Sequence, residues 1–203
     1  WWSSTPKASQ GARLAATEIK RKFDKPDEQL RKQLQLSGKV PHNLSQTIRG
    51  VIRIFEFYET RQIKINFHDL SEDIVIQDTS VGVGEVPVFV LKSVFFDVLE
   101  NAMKYSKPNG EVKVILKRDQ AFFVISVQDK GIGITEEEIQ NVGAPVYRST
   151  RAIKHARGRG EGINFSGPWI PTYYPGGWFE VRSGGYDKGT TVDIHIPYGA
   201  RMA

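Results

Sequence analysis

At 203 residues the chain has room for one medium domain, or one domain with a short appendage. Its 39% hydrophobic and 25% charged content suits an ordinary soluble globular protein, and the longest apolar runs, at 86–91 and 94–96, fall far below the roughly 20 residues of a membrane-spanning helix. The absence of cysteine excludes disulfides and cysteine-held metals and fits a reducing, cytoplasmic setting. Trp1-Trp2-Ser3-Ser4 lacks the charged-then-apolar pattern of a signal peptide. A net charge of +5 suits a polyanion, whether nucleic acid or nucleotide phosphates.

Residues 1–60 read as helical. Ala12, Ala15, Ile19 and Phe23 form one apolar stripe, broken near Asp24-Lys25-Pro26-Asp27. A second stripe passes through Leu30, Leu34, Ile48, Ile52 and Phe55, interrupted early by Pro41, and the pair predicts a helical hairpin. From about residue 61 the period shortens. Ile63-Lys64-Ile65-Asn66-Phe67 and Ile74-Val75-Ile76 alternate as strands do. A long helix is predicted over 87–106, ended by the breaker Lys107-Pro108-Asn109-Gly110, and strands over 111–118 and 121–128. Residues 131–177 read mostly as loop, and 178–182 with 190–197 as a closing hairpin. A helical hairpin (1–60) followed by a mixed α/β domain (61–203) is the expected organisation.

On the long helix, Val94, Phe95, Val98, Leu99, Ala102 and Met103 form the apolar face. Asp97, Asn101, Lys104 and Tyr105 fall in a neighbouring wedge of about 100°. A carboxylate and an amide oxygen suit Mg²⁺, which shares oxygen ligands with phosphates. Lys104 can face a phosphate and Tyr105 can flank a base or sugar. Glu100 lies on another face, so Asp97 is the carboxylate expected near the metal or its water. From these four residues alone, an ordinary amphipathic helix with a solvated polar side is the default reading.

Asp129 closes a strand and is followed at once by Gly131-Ile132-Gly133-Ile134. An acid there can accept a hydrogen bond from an exocyclic amine, and the glycines permit close backbone approach. Turn glycines after strands are also common. Gly158-Arg159-Gly160-Glu161-Gly162 offers unobstructed backbone N–H groups for phosphates. Arg148, Arg151, Lys154, Arg157 and Arg159 fall within twelve residues and could neutralise a polyphosphate, or be a solvated basic loop.

Taken in order, these segments resemble the family of histidine kinases and related ATPases that includes gyrase, the heat-shock ATPase and the mismatch-repair ATPase. Leu99-Glu100-Asn101-Ala102-Met103-Lys104-Tyr105-Ser106 resembles the N box, Asp129 to Ile134 the G1 box, and Gly158 to Ile163 the G2 box. Ala144-Pro145-Val146-Tyr147-Arg148 is similar to the F box without its flanking phenylalanines. Lys104 and Tyr105 point to the histidine-kinase branch.

The resemblance covers about residues 61–197 and implies an α+β fold, a two-layer α/β sandwich with a mixed sheet, preceded by the helical hairpin. It implies ATP and Mg²⁺ as cofactors, with Asn101 on the metal and Asp129 reading the adenine amine. Thr190 would support Asp129 through a water, and Gly158, Gly160 and Gly162 would sit at the triphosphate. Lys104, Tyr105, Gly131, Gly133, Ile134 and Arg148 would complete the nucleotide contacts, with Asp97 and Asn101 as catalytic residues. Positioning and charge neutralisation are most of what phosphoryl transfer requires.

The chain departs from the family pattern in two places. Pro168, Pro171 and Pro175 lie within eight residues where a helix normally follows the G2 glycines, so no regular helix is expected after Ser166. Glu161 also places a negative charge beside the expected phosphates. At the front, Ser4-Thr5-Pro6 resembles the end of the phosphoacceptor motif, which puts Trp1 in the histidine's position and Trp2 in the acid's. His42, His68, His155 and His195 lie outside that motif and read as surface or structural residues.

The expected function is the ATP-binding core of a two-component sensor histidine kinase, with a catalytically degenerate dimerising or partner-binding module as the alternative. The expected partners are ATP, a second copy of the chain and a response regulator or other signalling protein. No nucleic acid is expected, because no aromatic–basic stripe accompanies the cations. The location is expected to be cytoplasmic, including as the cytoplasmic part of a membrane-associated sensor.

Overall fold

The change of period near residue 61 is realised as a sheet with helices on one face. The structure is a computed structural model describing residues 41–58, 62–70, 75–77, 87–119, 121–142, 150–155 and 169–197. The first apolar stripe, Leu30, Leu34, Ile74, Trp1 to Pro6 and the segment Ala144 to Arg148 lie outside the described residues, as do Gly158, Gly160 and Gly162.

The described elements, in order, are β1 (Pro41–Asn43), α1 (Leu44–Tyr58), β2 (Lys64–Leu70), β3 (Val75–Gln77), α2 (Pro87–Tyr105), β4 (Glu111–Asp119) and β5 (Phe122–Asp129). After them come α3 (Glu136–Ile139), α4 (Thr150–His155), α5 (Trp169–Tyr173), β6 (Trp178–Arg182) and β7 (Thr191–Pro197). Five strands form one mixed sheet in the order β2-β4-β5-β7-β6, with β2 parallel to β4 and every other pairing antiparallel. β1 and β3 make a separate antiparallel pair.

Alternation along β4 sends Val112, Val114 and Leu116 into the core and leaves Glu111, Lys113, Ile115 and Lys117 half-buried on the other face. β5, with neighbours on both sides, is buried continuously from Phe123 to Val127. Against the inner face lies α2, whose predicted apolar residues Val94, Phe95, Val98, Leu99, Ala102 and Met103 are all buried. Val90, Leu91 and Phe96 are buried too, because α2 is sandwiched between the sheet and the helices α1 and α5.

α1 starts where Asn43 Oδ1 accepts a hydrogen bond from the Gln46 N–H (2.9 Å), a side-chain N-cap. Its Leu44, Ile48, Val51 and Ile52 enter the same core cluster as α2 and β4, and Phe55 meets Phe96 at 4.7 Å between ring centres. The expected boundary near residue 60 therefore cuts through a continuous core. The period of the sequence changes there, but the packing does not.

The stretch read as loop also contains helices. α5 forms after Ser166 despite Pro171, which sits in the first turn, where its missing N–H would have no intrahelical partner anyway. Tyr174 N–H closes the turn onto the Ile170 carbonyl (2.8 Å), and Ile170 is fully buried, which anchors the helix against α2. Among the described residues, no helix is long and apolar enough to cross a membrane.

Candidate functional site

β5 ends at Asp129. The strand alternation puts this carboxylate on the side of the buried Val127, the face that α2 covers. Its own N–H donates to the Thr190 carbonyl (2.9 Å), and the Gly131 N–H donates to its Oδ1 (2.8 Å). The Thr190 backbone N–H also hydrogen-bonds the carboxylate. Burial nevertheless dominates, pushing the Asp129 pKa up to about 6 against the pull of those two bonds. The group is a half-buried anion at neutral pH, fixed by backbone and able to accept a further hydrogen bond.

The glycines around it each have a packing reason. A side chain at Gly131 would strike the Tyr105 carbonyl at the end of α2. Gly133 (φ 65°) abuts the Gly185 carbonyl, and Gly189 (φ 73°) abuts the carbonyl of Asp129 itself. Three segments thus lock together: the Ile132 N–H reaches the Tyr105 carbonyl (3.3 Å) and the Asp187 N–H reaches the Ile132 carbonyl (2.8 Å). Thr190 meets Asp129 directly through its backbone.

Ser183, which the sequence reading passed over, ties the loops together. Its Oγ accepts from the Ile134 N–H (3.0 Å) and the Gly185 N–H (3.3 Å) and donates to the Gly189 carbonyl (2.6 Å). A serine between a strand and two glycines carries no distinctive signal, so only the fold reveals it. Ser183→Ala is expected to destabilise the fold by about 2 kcal/mol, because two backbone donors lose their acceptor. Urea unfolding measures this, and a loss within experimental error would mean that the backbone alone holds the loops.

On α2, Asp97 is buried (4% exposed), Asn101, Lys104 and Tyr105 are half-buried, and Glu100 is exposed. The Lys104 ammonium lies 5.1 Å from the Tyr105 ring centre, a cation–π distance. Asn101 stands one turn before Tyr105, whose carbonyl meets the Asp129 loop, so both belong to one end of the sheet. Asp129 and Thr190 border a cavity of about 200 Å³ with Arg182, Ser183, Lys188 and Gly189. Asn101, Lys104 and Tyr105 are not part of its lining.

Of the basic cluster, Arg151 lies on α4 and is already engaged. Its Nη2 contacts both Asp187 carboxylate oxygens at 2.8 Å, and its guanidinium covers the Tyr186 ring at 4.7 Å. The Tyr186 hydroxyl in turn reaches Glu138 (3.3 Å), the residue that closes the capping box of Thr135 at the start of α3. In this structure Arg151 pairs with the β6–β7 loop. The Thr135-Glu136-Glu137-Glu138 pattern announces the capping box in the sequence, whereas the Arg151 anchor spans 36 residues and leaves no local trace.

Residues 88–200 match the model of the family described as histidine kinase-, DNA gyrase B-, and HSP90-like ATPase. The chain is 33% identical over 108 residues to sporulation kinase E of Bacillus subtilis, a match covering 53% of this chain and 14% of that protein. The chain thus spans only a small part of the curated relatives it matches. Among solved structures, the mycobacterial sensor histidine kinase MprB aligns with a TM-score of 0.61 at 22% identity, over 78% of this chain and 97% of that one. The histidine kinase ThkA, in complex with response regulator protein TrrA, aligns with a TM-score of 0.62 at 20% identity, over 91% of this chain and 48% of that one. At these identities the two structures establish the likeness of fold.

Proposed function

The chain belongs to the family of histidine kinase-, DNA gyrase B-, and HSP90-like ATPases, and from that premise we propose that it is the ATP-binding, phosphoryl-transferring part of a two-component sensor histidine kinase. The observation that carries this reading is the half-buried Asp129 anion, held by Gly131 and Thr190 beside the end of the Asn101 helix. Asp129 would accept a hydrogen bond from the adenine amine, and Gly131, Gly133 and Ile134 would frame the base. An amide oxygen on a half-buried helix face, one turn from the buried Asp97, is a donor set that suits Mg²⁺. Asn101 would hold that ion, which when bound supplies neutralisation of phosphate charge. Asp97 would orient Asn101 or a water beside it, Lys104 would face a phosphate, and Tyr105 would flank the base or sugar.

Arg148, Gly158, Gly160 and Gly162 keep their expected place at the phosphates in this proposal. The ATP-binding unit is taken to begin near residue 41, since α1 shares its core. Dimerisation is assigned to the residues before it, and the partner to a response regulator, the class of protein that ThkA accompanies in its complex. The phosphate acceptor is a histidine not evident in this chain.

The test is calorimetric titration of the chain with Mg-ATP beside Asn101→Ala. Wild type is expected to bind, and the variant to bind about tenfold more weakly with Mg²⁺ present, for the loss of one oxygen contact worth about 1.4 kcal/mol. With the metal chelated, the two should bind alike. If wild type takes up no nucleotide and Asn101→Ala changes nothing, the kinase reading is wrong.

A further inference from the structure

The sheet has a second face, turned away from the helices and from Asn101. Along β7, Val192, Ile194 and Ile196 point into the core, so Thr191, Asp193 and His195 point outward. Cross-strand register sets Glu180 beside Asp193 and Trp178 beside His195. A carboxylate oxygen of Glu180, one of Asp193 and an imidazole nitrogen of His195 lie within 4.8 Å of one another.

Two of these groups have unmet bonding capacity. Asp193 is 6% exposed, and although Arg182 pairs with its Oδ2, its Oδ1 has no hydrogen-bond partner among the described residues. The His195 Nε2, also shielded from solvent, has none either. Buried polar atoms are nearly always satisfied, and an unsatisfied pair in one cluster calls for a ligand that serves both. The imidazole is held flat against Trp178 (4.3 Å between centres, 9° between planes), and Phe122 packs edge-on at 4.7 Å against the same indole. That stacking fixes the ring's orientation, as supporting groups do for metal-bound histidines.

We propose that Glu180, Asp193 and His195 form a Zn²⁺ site on the outer face of the sheet. One imidazole and two carboxylates match zinc's nitrogen and oxygen preference and disfavour Mg²⁺ and Ca²⁺, which take oxygen ligands. Tetrahedral zinc with bonds of about 2.0–2.2 Å brings its ligand atoms to roughly 3.3 Å apart. The exposed Glu180 side chain supplies the closing movement from the present spread. Three protein ligands leave the fourth position to water. Without metal, Arg182 is the resident cation: it pairs with Asp193 and lies 3.8 Å from Glu180, so both acids stay compensated. Zinc and Arg182 therefore compete for the same carboxylates.

The experiment is a Zn²⁺ titration of the tag-free, chelator-stripped chain without nucleotide, by competition with a chromogenic chelator while tryptophan fluorescence is followed. One equivalent should bind and change the emission of Trp178, which stacks on a ligand. His195→Gln and the exposed Glu180→Gln should each weaken binding about tenfold or more. Arg182→Gln should tighten it and enlarge the zinc-induced rise in Tm. Asn101→Ala and Asp129→Asn should leave zinc binding unchanged, which separates this site from the nucleotide reading. Zinc affinity indifferent to His195→Gln and Glu180→Gln, or lost instead with His68→Gln, would overturn the proposal, as would weaker binding in Arg182→Gln.

Discussion

Asp129→Asn is expected to lower ATP affinity by about 100-fold, or roughly 2–3 kcal/mol, while leaving the folded state as stable as wild type or more so at pH 7. The two effects separate because they draw on different properties of the carboxylate. In the proposed role its charge would strengthen a hydrogen bond from an adenine amine, and the amide replacement lacks that charge. Burying the same charge is unfavourable to folding, as the pKa raised to about 6 records. A carboxylate whose folded pKa lies above its unfolded value contributes stability that is complete below the unfolded pKa and lost as pH rises through about 6. At neutral pH the ionised group therefore costs the fold on the order of 2–3 kcal/mol, which asparagine avoids. ATP affinity of the wild type should fall as pH drops from 7 through about 6, while this group's contribution to stability rises over the same interval. Calorimetric titration and thermal unfolding across pH measure the two. Parallel loss of binding and Tm in the variant would assign Asp129 a structural role only.

Gly189→Ala should produce the opposite pattern, with fold and binding failing together. Gly189 has a φ of 73°, and its missing side chain would occupy the space of the Asp129 carbonyl. The backbone there cannot yield without breaking the bond from Asp129 N–H to the Thr190 carbonyl. Left-handed strain of about 1–2 kcal/mol and overpacking of about 1–3 kcal/mol together predict a destabilisation of about 3 kcal/mol. Denaturant unfolding tests this. A variant with wild-type midpoint and wild-type ATP affinity would show that the β6–β7 loop is not what sets Asp129.

The elements that carried a strong local period were legible in the sequence: α2, β4, β5 and the β6–β7 hairpin fall within a residue or two of their expected bounds. The helix α5 was not, because a proline count ignores position. Pro171 is costly inside a helix and harmless in the first turn, where it stands. The packing of α1 was not legible either, since its stripe shows that Ile48, Ile52 and Phe55 must be covered but not by what. In the candidate site, Asp129 and the glycines that follow it stood out in the sequence by their order, and Thr190 through the family resemblance alone. Ser183 and the Arg151–Asp187 anchor depend on chain segments meeting across a distance, which no window of sequence records.

The pairing of β5 with β7 has a kinetic side. Asp129 and its partner Thr190 are some sixty residues apart in the chain, whereas β4 and β5 are joined by a short turn. The β4–β5 ladder can form early, at small cost in loop closure, but the Thr190 bond must wait until everything between is in place. The Asp129 amide is therefore a reporter of the last closure of the domain. Its hydrogen exchange, compared with that of Val114 on β4 or Val124, whose N–H faces β4, would measure how often the β6–β7 edge opens while the rest of the sheet remains folded.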